Sequence, residues 1–216
     1  MIDRAIQIKR VENEFSQNTY LIEFNDSCMV VDAGCGVDYI RNLTDKPIMA
    51  VLVTHSHFDH IRNIAEYDRQ GIVAYIHHTS QRLLQDVYGN ASMLFNQPTI
   101  YNINNISIIK GDQDINIGDH LIKCIYTPGH TIDGVCYLID NQYLFSGDTV
   151  FASAVGRDDL PSADTNQLIN SLERILGLDY KYLYTGHGRP SDKVEQQQNI
   201  PKWLDYLREK ENKNYG

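Results

Sequence analysis

Thr54-His55-Ser56-His57-Phe58-Asp59-His60 decides how this chain is read. Positions 55–60 supply three imidazoles and a carboxylate within six consecutive residues, a density that suits a metal site better than a core. Upstream, Ile48-Met49-Ala50-Val51-Leu52-Val53 is a continuous apolar run of strand length, as expected for a strand covered on both faces. Downstream, residues 60–67 place apolar side chains at helical spacing, with Asp59 or His60 near the first turn. The ligand-type residues therefore sit where a strand ends and a helix begins. If the chain stays extended, His55 and His57 point to one side while Asp59 and His60 turn away, which suits two adjacent ions. The alternative for any single histidine is a surface position.

Three further segments put a ligand-type residue beside glycine at the end of an apolar run. They are Thr127-Pro128-Gly129-His130-Thr131, Phe145-Ser146-Gly147-Asp148-Thr149 and Tyr184-Thr185-Gly186-His187-Gly188. Glycine permits the sharp turn that aims a side chain off a strand end. One such histidine is an ordinary loop residue and one such aspartate an ordinary turn-former, but three behind the first cluster point to a shared site.

Taken in order, HSHFDH, TPGHT, FSGDT and YTGHG resemble the metallo-β-lactamase superfamily of metal-dependent hydrolases over most of the chain. The resemblance implies His55, His57 and His130 on one ion, Asp59, His60 and His187 on a second, and Asp148 bridging them. Residues 18–22 and 30–34 are similar to the family's opening strands, where the aspartate, here Asp32, supports the site from outside the ligands. On its own composition Asp32 reads equally well as a turn residue.

Length and charge agree. At 216 residues without a Pro/Gly/Ser-rich linker, the chain reads as one domain over 1–216 that ends in a helix over about 191–211. A net charge of −9 and a pI near 5.3 argue against a nucleic-acid surface, which needs clustered Lys and Arg. No signal-peptide pattern and no run of membrane-spanning length is visible, so the expectation is a cytoplasmic protein with a small-molecule substrate and neither membrane nor nucleic-acid partners. Self-association stays open. Four cysteines lack paired spacing; Cys28, Cys124 and Cys136 read as small apolar residues, and Cys35 as an unremarkable loop thiol.

The patterning predicts strands near 2–10, 18–25, 27–32, 48–54, 72–77, 105–110, 119–126, 134–140, 142–147 and 181–184. Helices are expected over 60–68, 78–87, 165–176 and 191–211. Asp164 with Gln167 reads as a capping box, and Leu168, Ile169, Leu172, Ile175 and Leu176 as one apolar face. On the last helix Trp203, Leu204, Tyr206 and Leu207 are the expected packing face. Strands followed by helices fit an α/β (α+β) fold, the four-layer αββα sandwich of two mixed sheets with outer helices that the resemblance also implies. Residues 88–98 read as a loop, used either as a substrate lid or as packing beneath a neighbouring helix. His77 and His78 are expected at solvent or a helix cap, and His120 in a turn.

Three protein ligands leave a position open for water on a borderline-soft divalent ion, the mark of a catalytic site. Zinc is the default, with iron or manganese compatible with the same donors. The expected chemistry is hydrolysis of an activated acyl bond by a hydroxide bridging two ions, with Asp148 fixing their separation and Asp59 steering the water's proton. The stretch Gly156-Arg157-Asp158-Asp159 resembles the hydroxyacylglutathione hydrolase (glyoxalase II) branch and its persulfide dioxygenase relatives, both acting on thiol conjugates. Arg157 is read either as a substrate-carboxylate ligand or as one partner of an ion pair holding its loop, the latter preferred. Two departures stand out: only residues 189–216 follow the last motif, more similar to the short single-domain type, and Arg62-Asn63 replaces a common Gly pair. Competing readings are a mononuclear iron persulfide dioxygenase, a lactonase or β-lactam hydrolase, and a metal-binding module without turnover.

Overall fold

The computed structural model describes residues 6–214. They fall into two compact units, one built from residues up to 109 with 117–119, the other from 110–116 with 120 onward.

The first unit carries a six-stranded sheet whose spatial order equals its chain order: β1 (Gln7–Glu12), β2 (Asn18–Glu23), β3 (Cys28–Val31), β4 (Ile48–Leu52), β5 (Val73–His77) and β6 (Ile106–Ile109). The first three form an antiparallel meander, and β3 to β6 then run parallel. Parallel neighbours need crossovers, supplied by α1 (Val37–Arg41), by α2 (Phe58–Ile61) with α3 (Ile64–Arg69), and by α4 (Ser80–Leu83). Every residue of β2 and β3 is buried, and the apolar run 50–53 is buried too. Val30, Val51, Val53 and Ile76 pack with Ile40, Ile61, Ile64 and Tyr67 from the helices in one core.

The second unit holds the second mixed sheet, in the order β12-β11-β10-β9-β8-β7: β7 (Gln113–Ile117), β8 (His120–Tyr126), β9 (Val135–Ile139), β10 (Tyr143–Gly147), β11 (Tyr182–Thr185) and β12 (Ser191–Asp192). Strand β11 lies parallel to β10 after the crossover helix α5 (Thr165–Gly177). The Asp164 carboxylate accepts the Gln167 N–H at 2.8 Å and caps α5, while the Asp164 N–H donates to the Gly129 carbonyl at 2.8 Å, so only half of the expected capping box forms. Leu168, Leu172 and Ile175 are fully buried against α6 (Lys193–Asn214) through Ile200, Leu204 and Leu207, spaced four and three apart. The Lys193 ammonium donates to the carbonyls of Leu176 and Leu178, which satisfies the end of α5.

Several expectations need correction. The helix expected over 60–68 is two helices, because both the Asn63 main-chain N–H and its side-chain amide are drawn to the loop after β3, at Ala33 O and Gly34 O. The helix expected over 78–87 keeps one turn, since the Leu84 carbonyl accepts from Tyr101 N and Asp86 starts a turn by accepting from Tyr88 N. Strand β7 is absent from the expected set, and strand β12, helix α1 and a 3-10 turn at Ser92–Phe95 are too short for their periodicity to register. The first strand runs Gln7–Glu12; residues 2–5 of the expected range lie outside the described residues. Tyr206 is exposed and meets Trp203 edge-on, while Ile200 takes the packing position. His77 is buried at the end of β5 with Nδ1 at 2.7 Å from Thr79 Oγ1, and His120 begins β8, also buried. Among the described residues no helix is long and apolar enough to cross a membrane.

Truncating Leu172 to Ala should cost about 2–5 kcal/mol, because a wholly buried side chain leaves a cavity between the two helices. Asp164→Ala should cost about 1 kcal/mol through the lost cap. Denaturant melts of the two variants check the ranking; equal stabilities would contradict the packing described.

Candidate metal centre

In the first unit β4 ends at Leu52, the chain bends at Thr54, and His57, with a φ of −65° and ψ of 143°, is the extended residue before α2. This puts His55 and His57 on one side, with ring centroids 4.7 Å apart. The first turn of α2 then brings His60 to 4.1 Å from His55, and the Asp59 carboxylate to 3.8 Å from His60 Nε2. All four side chains are buried. A dense group of buried imidazoles is stable only if each ring's proton has an assigned acceptor.

Asp32 supplies that assignment. It ends β3 at a φ of 62°, a left-handed conformation that aspartate tolerates better than most residues, and it is 1% exposed. Its Oδ1 accepts the Thr54 N–H at 2.7 Å; its Oδ2 accepts the Thr54 hydroxyl at 2.9 Å and lies 2.7 Å from His60 Nδ1. Burial pushes the Asp32 carboxyl up, and His60 and the two Thr54 donors pull against that. With Asp32 accepting both Thr54 donors, the 2.7 Å contact to His60 is assigned as Nδ1–H donating to Oδ2. The Thr54 hydroxyl donates to Asp32, so its 3.1 Å contact with His55 Nδ1 is assigned as the ring N–H donating to Oγ1. Both rings thereby present Nε2 lone pairs. Asp32 thus unites its two expected parts, turn residue and support.

Residues around this cluster escaped the sequence reading. The Asn13 side-chain amide donates to the Asp59 and Gly34 carbonyls and to Gln17 Oε1, and the wholly buried Gln17 donates to Asn18 O. Gly34 leaves the room they need: a Cβ there would lie 1.8 Å from Gln17 Oε1 and 2.7 Å from Asp59 O. Asparagine and glutamine in a turn carry no periodic signal that would have marked them. Beneath α2, the 88–101 segment packs rather than hangs free: Phe95 meets Phe58 at 5.3 Å and Phe15 at 4.9 Å, and Asn90 O accepts from Phe58 N. Arg62 lies over the Phe15 ring and pairs with Glu14. Cys35 is buried and its thiol is pushed up by that burial, as suits an inert packing residue.

In the second unit Gly129 adopts a φ of 135°, and a Cβ there would fall 2.2 Å from the Leu168 nitrogen, so only glycine lets the turn after β8 press onto α5. His130 follows, with Nδ1 at 2.8 Å from the Arg157 carbonyl. A carbonyl only accepts, and His130 too presents Nε2. A bulge between Phe145 and Gly147 ends β10 and delivers Asp148, whose Oδ2 lies 3.7 Å from His130 Nε2 and 3.5 Å from His187 Nε2. The loop after β11 that carries His187 is tied to β10 by Gly186 N donating to Gly147 O, and turns through Gly188 at a φ of 74°. The Arg157 side chain forms a two-pronged pair with Asp159 at 2.8 and 2.9 Å.

The first unit thus gathers His55, His57, Asp59 and His60, and the second gathers His130, Asp148 and His187. Imidazole Nε2 atoms beside carboxylates are a donor set fitted to borderline divalent ions, and the Nδ1 partners are those that metal-bound histidines use.

Comparison with known proteins agrees. Residues 13–187 match the sequence profile of the metallo-β-lactamase superfamily. The chain is 30% identical over 191 residues to a probable metallo-hydrolase of Bacillus subtilis, covering 85% of this chain and 90% of that one. It is 31% identical over 183 residues to a hydroxyacylglutathione hydrolase of Francisella tularensis subsp. novicida, of whose length it spans 64%. The crystal structure of the B3 metallo-β-lactamase BLEG-1 superposes with a TM-score of 0.83 at 27% identity, covering 90% of this chain and 98% of that one. Two mixed sheets with their helices, and the ordered ligand motifs, are the metallo-β-lactamase fold, and the chain belongs to the metallo-β-lactamase superfamily.

Proposed function

We propose that His55, His57, Asp59, His60, His130, Asp148 and His187 hold two divalent ions, most simply zinc, and that the protein hydrolyses a small thioester of the hydroxyacyl-glutathione type or another small thiol conjugate. The observation that carries this reading is the proton assignment. His55, His60 and His130 each have Nδ1 held by an acceptor, which fixes Nε2 as the donor atom. In the assignment proposed, His55, His57 and His130 serve one ion and Asp59, His60 and His187 the other. Asp148, whose Oδ2 lies near both His130 Nε2 and His187 Nε2, would be the ligand shared by the two ions.

Ions held there would supply a Lewis acid for the scissile carbonyl and would lower the pKa of a bound water toward about 7. The protein's part is placement. Asp148 sets the separation of the ligands around it, and Asp59, at the first turn of α2, accepts the proton that the attacking water gives up. Asp32 keeps the His60 ring in one tautomer and one orientation. Support for a thioester comes from the Gly156-Arg157-Asp158-Asp159 stretch and from the likeness to the hydroxyacylglutathione hydrolase, which is said of that enzyme and carried here as a proposal. The Arg157 guanidinium is occupied by Asp159, which favours loop-holding over substrate binding.

The test pairs metal content with turnover on a panel of small thioesters. About two zinc ions per chain are expected, with Asp148→Ala losing at least about 100-fold in kcat/KM, equivalent to roughly 3 kcal/mol of transition-state stabilisation. One iron per chain, no thioester turnover and oxygen uptake with a thiol persulfide would overturn the reading. A second variant isolates Asp32. Asparagine keeps the left-handed backbone but presents an amide to His60, so Asp32→Asn should weaken zinc binding about 10–100-fold in chelator competition. An unchanged affinity would remove Asp32 from the account.

A further inference from the structure

The direction of the His130 ring depends on a main-chain atom, the Arg157 carbonyl, and hence on where residues 156–159 sit. That segment is pressed hard against the site. A Cβ at Gly156 would fall 2.1 Å from the Asp148 carbonyl and 2.9 Å from His130 Cβ, so any movement there reaches both side chains. Its regular tethers are few: one bridge between Val150 and Val155, and Gly156 N donating to Thr149 O at 3.3 Å. The Arg157–Asp159 pair cannot anchor it, since both side chains are more than half exposed and belong to the same short loop.

Asp158 differs on each count. Its side chain is 12% exposed, its two oxygens accept from Lys210 Nζ at 2.7 and 2.6 Å, and Oδ2 also accepts the Thr165 hydroxyl at 2.8 Å. Burial raises the Asp158 carboxyl, but Lys210 and Thr165 outweigh it and hold the group below the usual carboxylate range. Lys210 follows Leu207 by one helical turn on α6, so its ammonium is carried by a helix whose Ile200, Leu204 and Leu207 are locked in the core. A charge-assisted contact from a rigid helix fixes position as well as adding energy.

We infer that Lys210 and Asp158 are positioning residues for His130: the ion pair ties the 156–159 segment to α6, and the peptide just before Asp158, through the Arg157 carbonyl, sets the proton and the direction of the His130 ring. The inference rests on the proposed function only in taking His130 as a metal ligand; the link from α6 to the ring stands in the metal-free protein.

The experiment compares Lys210→Met, Lys210→Arg and Arg208→Met. The last removes an exposed pair between α6 and Glu173 of α5 and so reports helix docking alone. Zinc affinity is read by chelator competition, and the His130 Nδ1–H resonance by NMR in metal-free protein. Lys210→Met should weaken zinc binding about 10-fold, the low end for partners of a metal-bound histidine, and should shift or broaden the His130 Nδ1–H signal. Lys210→Arg should restore most of both, and Arg208→Met should change neither. Wild-type behaviour of Lys210→Met, or an equal loss in Arg208→Met, would overturn the inference. If wild-type protein binds no zinc, the metal reading fails, and the metal-free resonance alone decides whether Lys210 positions the ring.

Discussion

A histidine can give a lone pair to an ion only from a nitrogen without a proton, so a buried ligand ring needs a group that only accepts beside its other nitrogen. The Asp32 carboxylate does this for His60, and passes the same order to His55 through the Thr54 hydroxyl. The Arg157 carbonyl does it for His130. Many local features of the chain serve to bring these acceptors into place. Strand β3 ends in a left-handed Asp32, Thr54 sits where β4 runs out, and Gly129 and Gly156 remove the side-chain atoms that would keep loops apart.

Polar side chains brought into such surroundings must be satisfied where they lie. Gln17, Asp32 and Thr54 are almost completely excluded from solvent, a costly grouping unless their hydrogen bonds are made. The interlocked Asn13–Gln17, Asp32–Thr54 and Asp32–His60 contacts meet that requirement. Removing one partner leaves another stranded. Rigidity of the ligand set is therefore a consequence of polar burial, and the apolar cores under each sheet supply the frame that keeps the groups buried.

Much of this was legible in the sequence because the decisive signals are local. The apolar run 48–53 declared a buried strand, the motif after it marked the buried histidines and aspartate proposed as ligands, and the spacing of Leu168, Leu172 and Ile175 declared α5 with its Asp164 cap. What stayed hidden depends on contacts between distant segments. Asn63 breaks a helix because the loop after β3 claims its hydrogen-bonding groups, and no local pattern reports that. Asn13 and Gln17 look like ordinary turn residues until Asp59 and Gly34 are placed beside them. Arg157 drew notice for its guanidinium, yet its carbonyl is the atom that meets His130. The partner of Asp158 sits on a helix whose pattern gave only its core-facing stripe.

If proton placement on Nδ1 makes Nε2 the metal-binding atom, ring-nitrogen NMR of the metal-free protein titrated with zinc will report it: the Nε2 signals of His55, His60 and His130 should move on zinc addition while the Nδ1–H signals of His60 and His130 persist. Loss of those Nδ1–H signals with Nδ1 taking up the metal, or no change in any of the three rings, would contradict it.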